Sequence, residues 1–71
     1  MKLTLTLDQA PYGVRAVLVE EWDEIGGRMT MAPMIRLFAS GEQAIAWGRL
    51  RAHRRGLREI YLTDNRSGGQ G

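Results

Sequence analysis

The chain opens M-K-L-T-L-T-L-D, with Leu3, Leu5 and Leu7 alternating against Lys2, Thr4 and Thr6. A period of two is what a strand with one buried face requires, because successive side chains leave a pleated backbone on opposite sides. A single strand cannot bury three leucines alone, so this segment demands a sheet and a covering layer. Gln9 to Gly13 breaks the pattern through Pro11 and Gly13 and predicts a reversal. Val14 to Trp22, rich in valine, follows as a second strand, antiparallel to the first because so short a connection cannot form a crossover. Its apolar residues fall on both parities, so its burial register stays open. Asp23 to Gly27 supplies the next turn. Met29 to Ala39 reads as a third strand that Pro33 must kink, bulge or confine to an edge.

Ser40-Gly41-Glu42-Gln43 has the form of a capping box, with Ser40 accepting from the Gln43 amide and the Gln43 side chain reaching back. The helix it opens should run to about Arg55, where Gly56 can take the left-handed conformation that ends a helix. Its apolar stripe is poor. One solution seats the small row Ala44, Gly48 and Ala52, with Ile45, against the sheet; a second uses Ala46, Leu50 and Leu57 with Ile45. Neither centres Trp47, which then either closes the rim of the core or belongs to a contact surface. Glu59 to Thr63 alternates as a last short strand. The expected fold is a single α+β domain over residues 1–64, with an antiparallel sheet, one helix on a face and the order β-β-β-α-β. Residues 65–71 are expected to form a mobile polar tail.

Seventy-one residues leave room for one small core, and the absence of cysteine removes disulfides, thiolate chemistry and thiolate metal sites together. No apolar run approaches a membrane span, and alternation stands where a signal peptide would carry a continuous apolar stretch, so a cytoplasmic location is expected. No cofactor, metal or catalytic residues are expected. The chain carries no GxxxxGK-type phosphate loop, no GxGxxG after a strand and no HExxH, and Glu20 and Glu21 point to opposite faces of their strand. His53 has no partner residues for a metal site.

Charge is the more informative property. Arg49, Arg51, Arg54, Arg55 and Arg58 fall within ten positions, and Lys2 is the only lysine in a chain of net charge +2. Arginine forks pair with phosphate or carboxylate and stack on rings, so an acidic partner surface is expected. A solvated helix face with compensation of the helix dipole is the plainer reading of the same run. The opposite sign gathers in Glu20-Glu21-Trp22-Asp23-Glu24. Adjacent, the two charge groups would pair internally at modest value; the hairpin is expected instead to face away from the helix, which gives the molecule two oppositely charged contact surfaces. The partner-binding set is therefore Trp47, Arg51, Arg54 and Arg55 on the helix and Arg58 just past it, with Glu20, Glu21, Trp22, Asp23 and Glu24 on the hairpin, because tryptophan and arginine dominate interface hot spots.

The segments Phe38-Ala-Ser-Gly-Glu-Gln-Ala-Ile-Ala-Trp47 and Gly56-Leu-Arg-Glu-Ile-Tyr-Leu-Thr-Asp64 resemble a pattern of many tiny bacterial and phage proteins, anti-CRISPR inhibitors among them. The shared feature is architectural: a sheet edge leading into a capped, alanine-rich helix and a short return strand. The resemblance implies a non-enzymatic inhibitor that binds a host nuclease or surveillance complex stoichiometrically. The positive net charge departs from DNA-mimicking inhibitors and leaves only the acidic residues 20–24 for such a part. Two further readings are a nucleic-acid binder that lays the arginine helix on phosphates with Trp47 against a base, and a homo-oligomer packed through Met29, Met31 and Met34.

Overall fold

A computed structural model describes residues 1–66. The elements run β1 (Lys2–Ala10), β2 (Gly13–Glu24), β3 (Gly27–Thr30), β4 (Met34–Phe38), α1 (Gly41–Arg54) and β5 (Tyr61–Asp64). β1 and β2 form an antiparallel hairpin closed at Pro11-Tyr12, with Leu5 opposite Leu18 and Ala10 opposite Gly13. β3 and β4 both lie antiparallel to β2, end to end along its outer side.

The single expected third strand is thus two. Glu21 pairs with Thr30 and Leu18 with Met34, so Met31, Ala32 and Pro33 oppose only Val19 and Glu20. This is a bulge, and Pro33 explains it: proline has no amide to give to the ladder. Met31 restores contact by donating its amide to the Glu20 carbonyl at 2.9 Å.

β5 lies parallel to β1, with Leu5 opposite Leu62. The sheet is therefore not wholly antiparallel. β4 runs in the same direction as β1, and α1 carries the chain back across β2 and β1, so the next strand re-enters the sheet in that direction. The ladder continues past β5, where the Asn65 amide donates to the Leu7 carbonyl at 2.8 Å. Arg66 clasps Asp64 through Nε at 2.9 Å and Nη2 at 2.7 Å. Residues 65 and 66 are thus tied to the sheet, and the remainder of the expected mobile tail lies outside the described residues.

The helix begins as its capping box dictates. Ser40 Oγ accepts the Gln43 amide at 3.2 Å, and Gln43 Oε1 accepts the Ala39 amide at 3.1 Å. It ends at Arg54 with Arg55 as its cap, followed by Gly56 at φ +74°. The small-residue solution is the one adopted: Ala44, Gly48 and Ala52 are buried against Leu3, Leu5, Leu7, Val14, Ala16 and Leu18, while Leu50 is exposed. A Cβ on Gly48 would lie 2.9 Å from Leu5 Cδ2 and 3.4 Å from Ile60 Cδ1, so the absence of a side chain there sets how closely helix and sheet approach. Met34, Phe38, Ile45, Trp47, Leu57 and Ile60 close the rim of the core.

The helix covers one sheet face only. β2 outruns it: twelve residues at about 3.3 Å each reach roughly 40 Å, close to the 45 Å long axis of the molecule. Residues 21–24 and β3 form an arm that ends at the fully exposed Ile25. Gly26 takes φ +101° at the second position of this turn, a conformation that side-chain-bearing residues resist.

Candidate protein-binding surface

At 100° per residue, the buried row Ala44, Gly48 and Ala52 divides the rest of the helix into two flanks. Trp47, Arg51 and Arg54 share one of them, which faces β4 and the outer part of β2. Arg49 and His53 share the other, which faces the segment leading into β5.

On the first flank, the Trp47 ring lies 5.4 Å from that of Phe38, tilted by 44°. The Arg36 guanidinium covers both, 5.5 Å from Phe38 and 5.7 Å from Trp47. Arg36 reaches them because it shares the helix-facing parity of β4 with Met34 and Phe38. Trp47 is half-buried, as a rim residue of the core, and its ring is already stacked.

Toward the C-terminal end of that flank, the expected separation of basic helix and acidic hairpin does not hold. Glu20 continues the parity of Val14, Ala16 and Leu18, so its side chain enters the helix–sheet interface and is 1% exposed. Arg51 Nη2 donates to Glu20 Oε2 at 3.2 Å, and Arg55 Nε stands 3.2 Å from Oε1 without the alignment of a hydrogen bond. A carboxylate carried into an interface needs cations there, because desolvating it alone costs several kcal/mol. Glu20 is therefore not offered to a partner, and Arg51 and Arg55 are engaged inside the molecule.

Glu21 lies on the opposite sheet face from Glu20, as alternation requires. Trp22, Asp23 and Glu24 stand on the arm. There Trp22 Nε1 donates to Glu24 Oε1 at 2.8 Å, and Arg28 Nε approaches Asp23 Oδ1 at 3.6 Å. The ten hairpin and helix residues singled out from sequence thus do not form one surface, nor two cleanly charged ones.

Sorting the basic residues shows where charge remains uncompensated. Arg15 pairs with Asp8, Arg28 with Asp23, Arg51 and Arg55 with Glu20, and Arg66 with Asp64. Lys2 sits 4.7 Å above the Tyr61 ring, and Arg36 covers Phe38 and Trp47. Of the ten basic residues, five therefore have no carboxylate within 4.0 Å among the described residues, and of these Arg49, Arg54 and Arg58 also lie over no aromatic ring. Arg49 and Arg58 line one groove of about 580 Å³ together with His53; Ala52, Leu57 and Ile60 form its apolar part and Glu59 its remaining polar wall. Arg54 is exposed on the first flank, at the same end of the helix.

Arg49 and His53 belong to the basic run of the sequence but stand outside the contact set expected from it. The signal was present: they are one helical turn apart, opposite the Trp47 flank. Arg36 was overlooked, although its parity with Phe38 was legible. Among the described residues no cluster of three or more His, Asp or Glu side chains could hold a metal ion, and no helix is long and apolar enough to cross a membrane. No protein-family model matches the chain, and no curated protein or solved structure matches it.

Proposed function

We propose that this protein is a small non-enzymatic binding module that acts by stoichiometric contact with an acidic protein surface, through the end of the helix that carries Arg49, His53 and Arg54 together with Arg58 of the segment that follows it. The observation that carries this reading is the sorting of the cations: five basic side chains pair with carboxylates and two lie over aromatic rings, and of the three left over Arg49 and Arg58 line one groove with an apolar floor while Arg54 stands on the other flank at the same end of the helix. An acidic side chain would enter between the guanidinium forks of Arg49 and Arg58, and a neighbouring apolar residue would cover Ala52, Leu57 and Ile60.

The resemblance to small phage inhibitors supplies the partner class to test first, a host nuclease or surveillance complex in the bacterial cytoplasm. Nucleic-acid binding is the competing reading, and two features weigh against it. Nonspecific affinity for a polyanion grows with the number of phosphates neutralised, and Glu20 withdraws Arg51 and Arg55 from that count. Stacking on bases needs a bare ring, and that of Trp47 lies against Phe38 and Arg36.

Fluorescence anisotropy at about 150 mM salt separates the two readings, because screening there suppresses purely phosphate-driven association. A labelled glutamate-rich peptide with interspersed leucines is expected to bind, and to lose affinity at least about tenfold with Arg49→Ser/Arg58→Ser, a loss of roughly 1.4 kcal/mol. Tighter binding of single- or double-stranded oligonucleotides than of the peptide would transfer the assignment to nucleic acid.

A further inference from the structure

The sheet face that the helix leaves uncovered has an order of its own. Its side chains follow from the ladder in cross-strand rows. Lys2 stands opposite Glu21, Thr4 between Tyr61 and Val19, Thr6 between Thr63 and Val17, and Asp8 opposite Arg15. On the β4 side, Ile35 flanks Val17 and Leu37 flanks Arg15. Ile35 and Leu37 are 55% and 70% exposed, large values for branched apolar residues set side by side on a sheet. Val17 and Val19 beside them are half-exposed.

The charges at the two ends form a pattern. On β1, Lys2 is at one end and Asp8 at the other; on β2 the order is reversed, with Glu21 beside Lys2 and Arg15 beside Asp8. Like charges therefore occupy the diagonals of a rectangle whose centre is Thr4, Thr6, Val17 and Val19. A two-fold axis lying in the plane of this face and running across the strands superposes each strand on its counterpart in reverse direction. Lys2 then meets Asp8 of the second copy, Arg15 meets Glu21 of the second copy, and Val17 meets Val19 of the second copy. β2 falls on its own equivalent, β4 with Ile35 and Leu37 falls across the segment beside Val19 and Glu21 of the second copy, and both charged ends become complementary at once.

We infer that this face is a self-association surface and that its occupant is a second copy of this chain, packed sheet on sheet with strands running in opposite directions. Four strands about 4.8 Å apart and seven residues long give a footprint of roughly 400 Å² per copy. At about 800 Å² in total the contact is smaller than that of a stable specific complex, so the dimer is a weak one that forms at high protein concentration. The helix lies on the far side of the sheet, so the dimer leaves the Arg49–Arg58 groove open and is independent of what binds there.

Sedimentation equilibrium of the full chain from micromolar to near-millimolar concentration tests the inference. The wild type is expected to move from monomer to dimer, and Ile35→Lys/Leu37→Lys, with unchanged circular dichroism, to remain monomeric throughout. The charge exchange Lys2→Glu/Glu21→Lys keeps opposite signs within each copy but sets like charges against Asp8 and Arg15 of the second copy. It is expected to weaken association at least about tenfold at low salt, where charge pairs are least screened. A wild type that stays monomeric to near-millimolar concentration would overturn the inference. So would a dimer indifferent to the Ile35/Leu37 change or to the charge exchange.

Discussion

The Glu20 carboxylate, 1% exposed, accepts a hydrogen bond at 3.2 Å from Arg51, a residue 31 positions later on the helix. This pair, with Arg55 beside it, links β2 to the end of α1 and turns the most acidic stretch of the chain partly inward. Its two sides are unequal. Arg51 and Arg55 are 27% and 42% exposed and can turn to water, whereas Glu20 cannot. Removing the cations should therefore cost more than removing the anion: Arg51→Ala/Arg55→Ala is expected to destabilise by about 2 kcal/mol or more, and Glu20→Met to lie within about 1 kcal/mol of wild type. Urea unfolding of the three proteins checks the order, and a larger loss for Glu20→Met would contradict it.

The helix–sheet spacing makes a steric prediction at Gly48. Alanine there gains helix propensity, but its Cβ meets the fully buried Leu5 at 2.9 Å. A β-branched residue gains less propensity than alanine and adds two methyl groups to the same contact, so Gly48→Val is expected to lower stability by about 2 kcal/mol through overpacking. An unchanged denaturation midpoint would mean that helix and sheet are not in the contact described.

Much of this was legible before the structure, for identifiable reasons. Leu3, Leu5 and Leu7 allowed one assignment because period two and burial coincide, and Ser40 with Gln43 marked the helix start because both caps are local. Pro33 announced the bulge by lacking an amide. The burial of Glu20 was not legible, since Val17 and Val19 gave the opposite parity of β2 an equal apolar claim. Only the pairing of β4 and the seating of the helix decide between them. The continuation from Ala44, Gly48 and Ala52 toward Arg51 and Arg55 was the clue: a helix whose buried row leads into arginines needs an anion on the sheet. The set Arg49, Arg54 and Arg58 follows only after every other cation has been placed against a carboxylate or an aromatic ring, which is three-dimensional information.

The cap predicts a modest, local cost. Ser40→Ala leaves the Gln43 amide without its acceptor and should reduce stability by about 1 kcal/mol, or a thermal midpoint lower by roughly 4–8 °C for a domain of this size. Ser40→Asp should retain wild-type stability.

The clasp at the end of β5 predicts a titration. Hydrogen bonds from the Arg66 side chain, then from its backbone, hold Asp64 below its ordinary value of 3.8, at about 2. A carboxylate whose pKa is lower folded than unfolded stabilises the fold above its unfolded value, and the contribution is lost as pH falls through about 2. Carbon-detected NMR of the side-chain carboxyl should place the Asp64 midpoint near 2, and Arg66→Ala should return it toward 3.8. A midpoint that ignores the Arg66 change would remove the clasp.

The functional account rests on which arginines are available to a partner, and arginine side-chain NMR reads this directly. Titrating the ¹⁵N-labelled chain with the glutamate-rich peptide at about 150 mM salt should shift the Nε–Hε resonances of Arg49, Arg54 and Arg58 together with the His53 ring. Those of Arg51 and Arg55, held on Glu20, should stay in place. Shifts centred on Arg51 and Arg55, or the absence of any shift with peptide alongside strong shifts with an oligonucleotide of equal charge, would contradict the account.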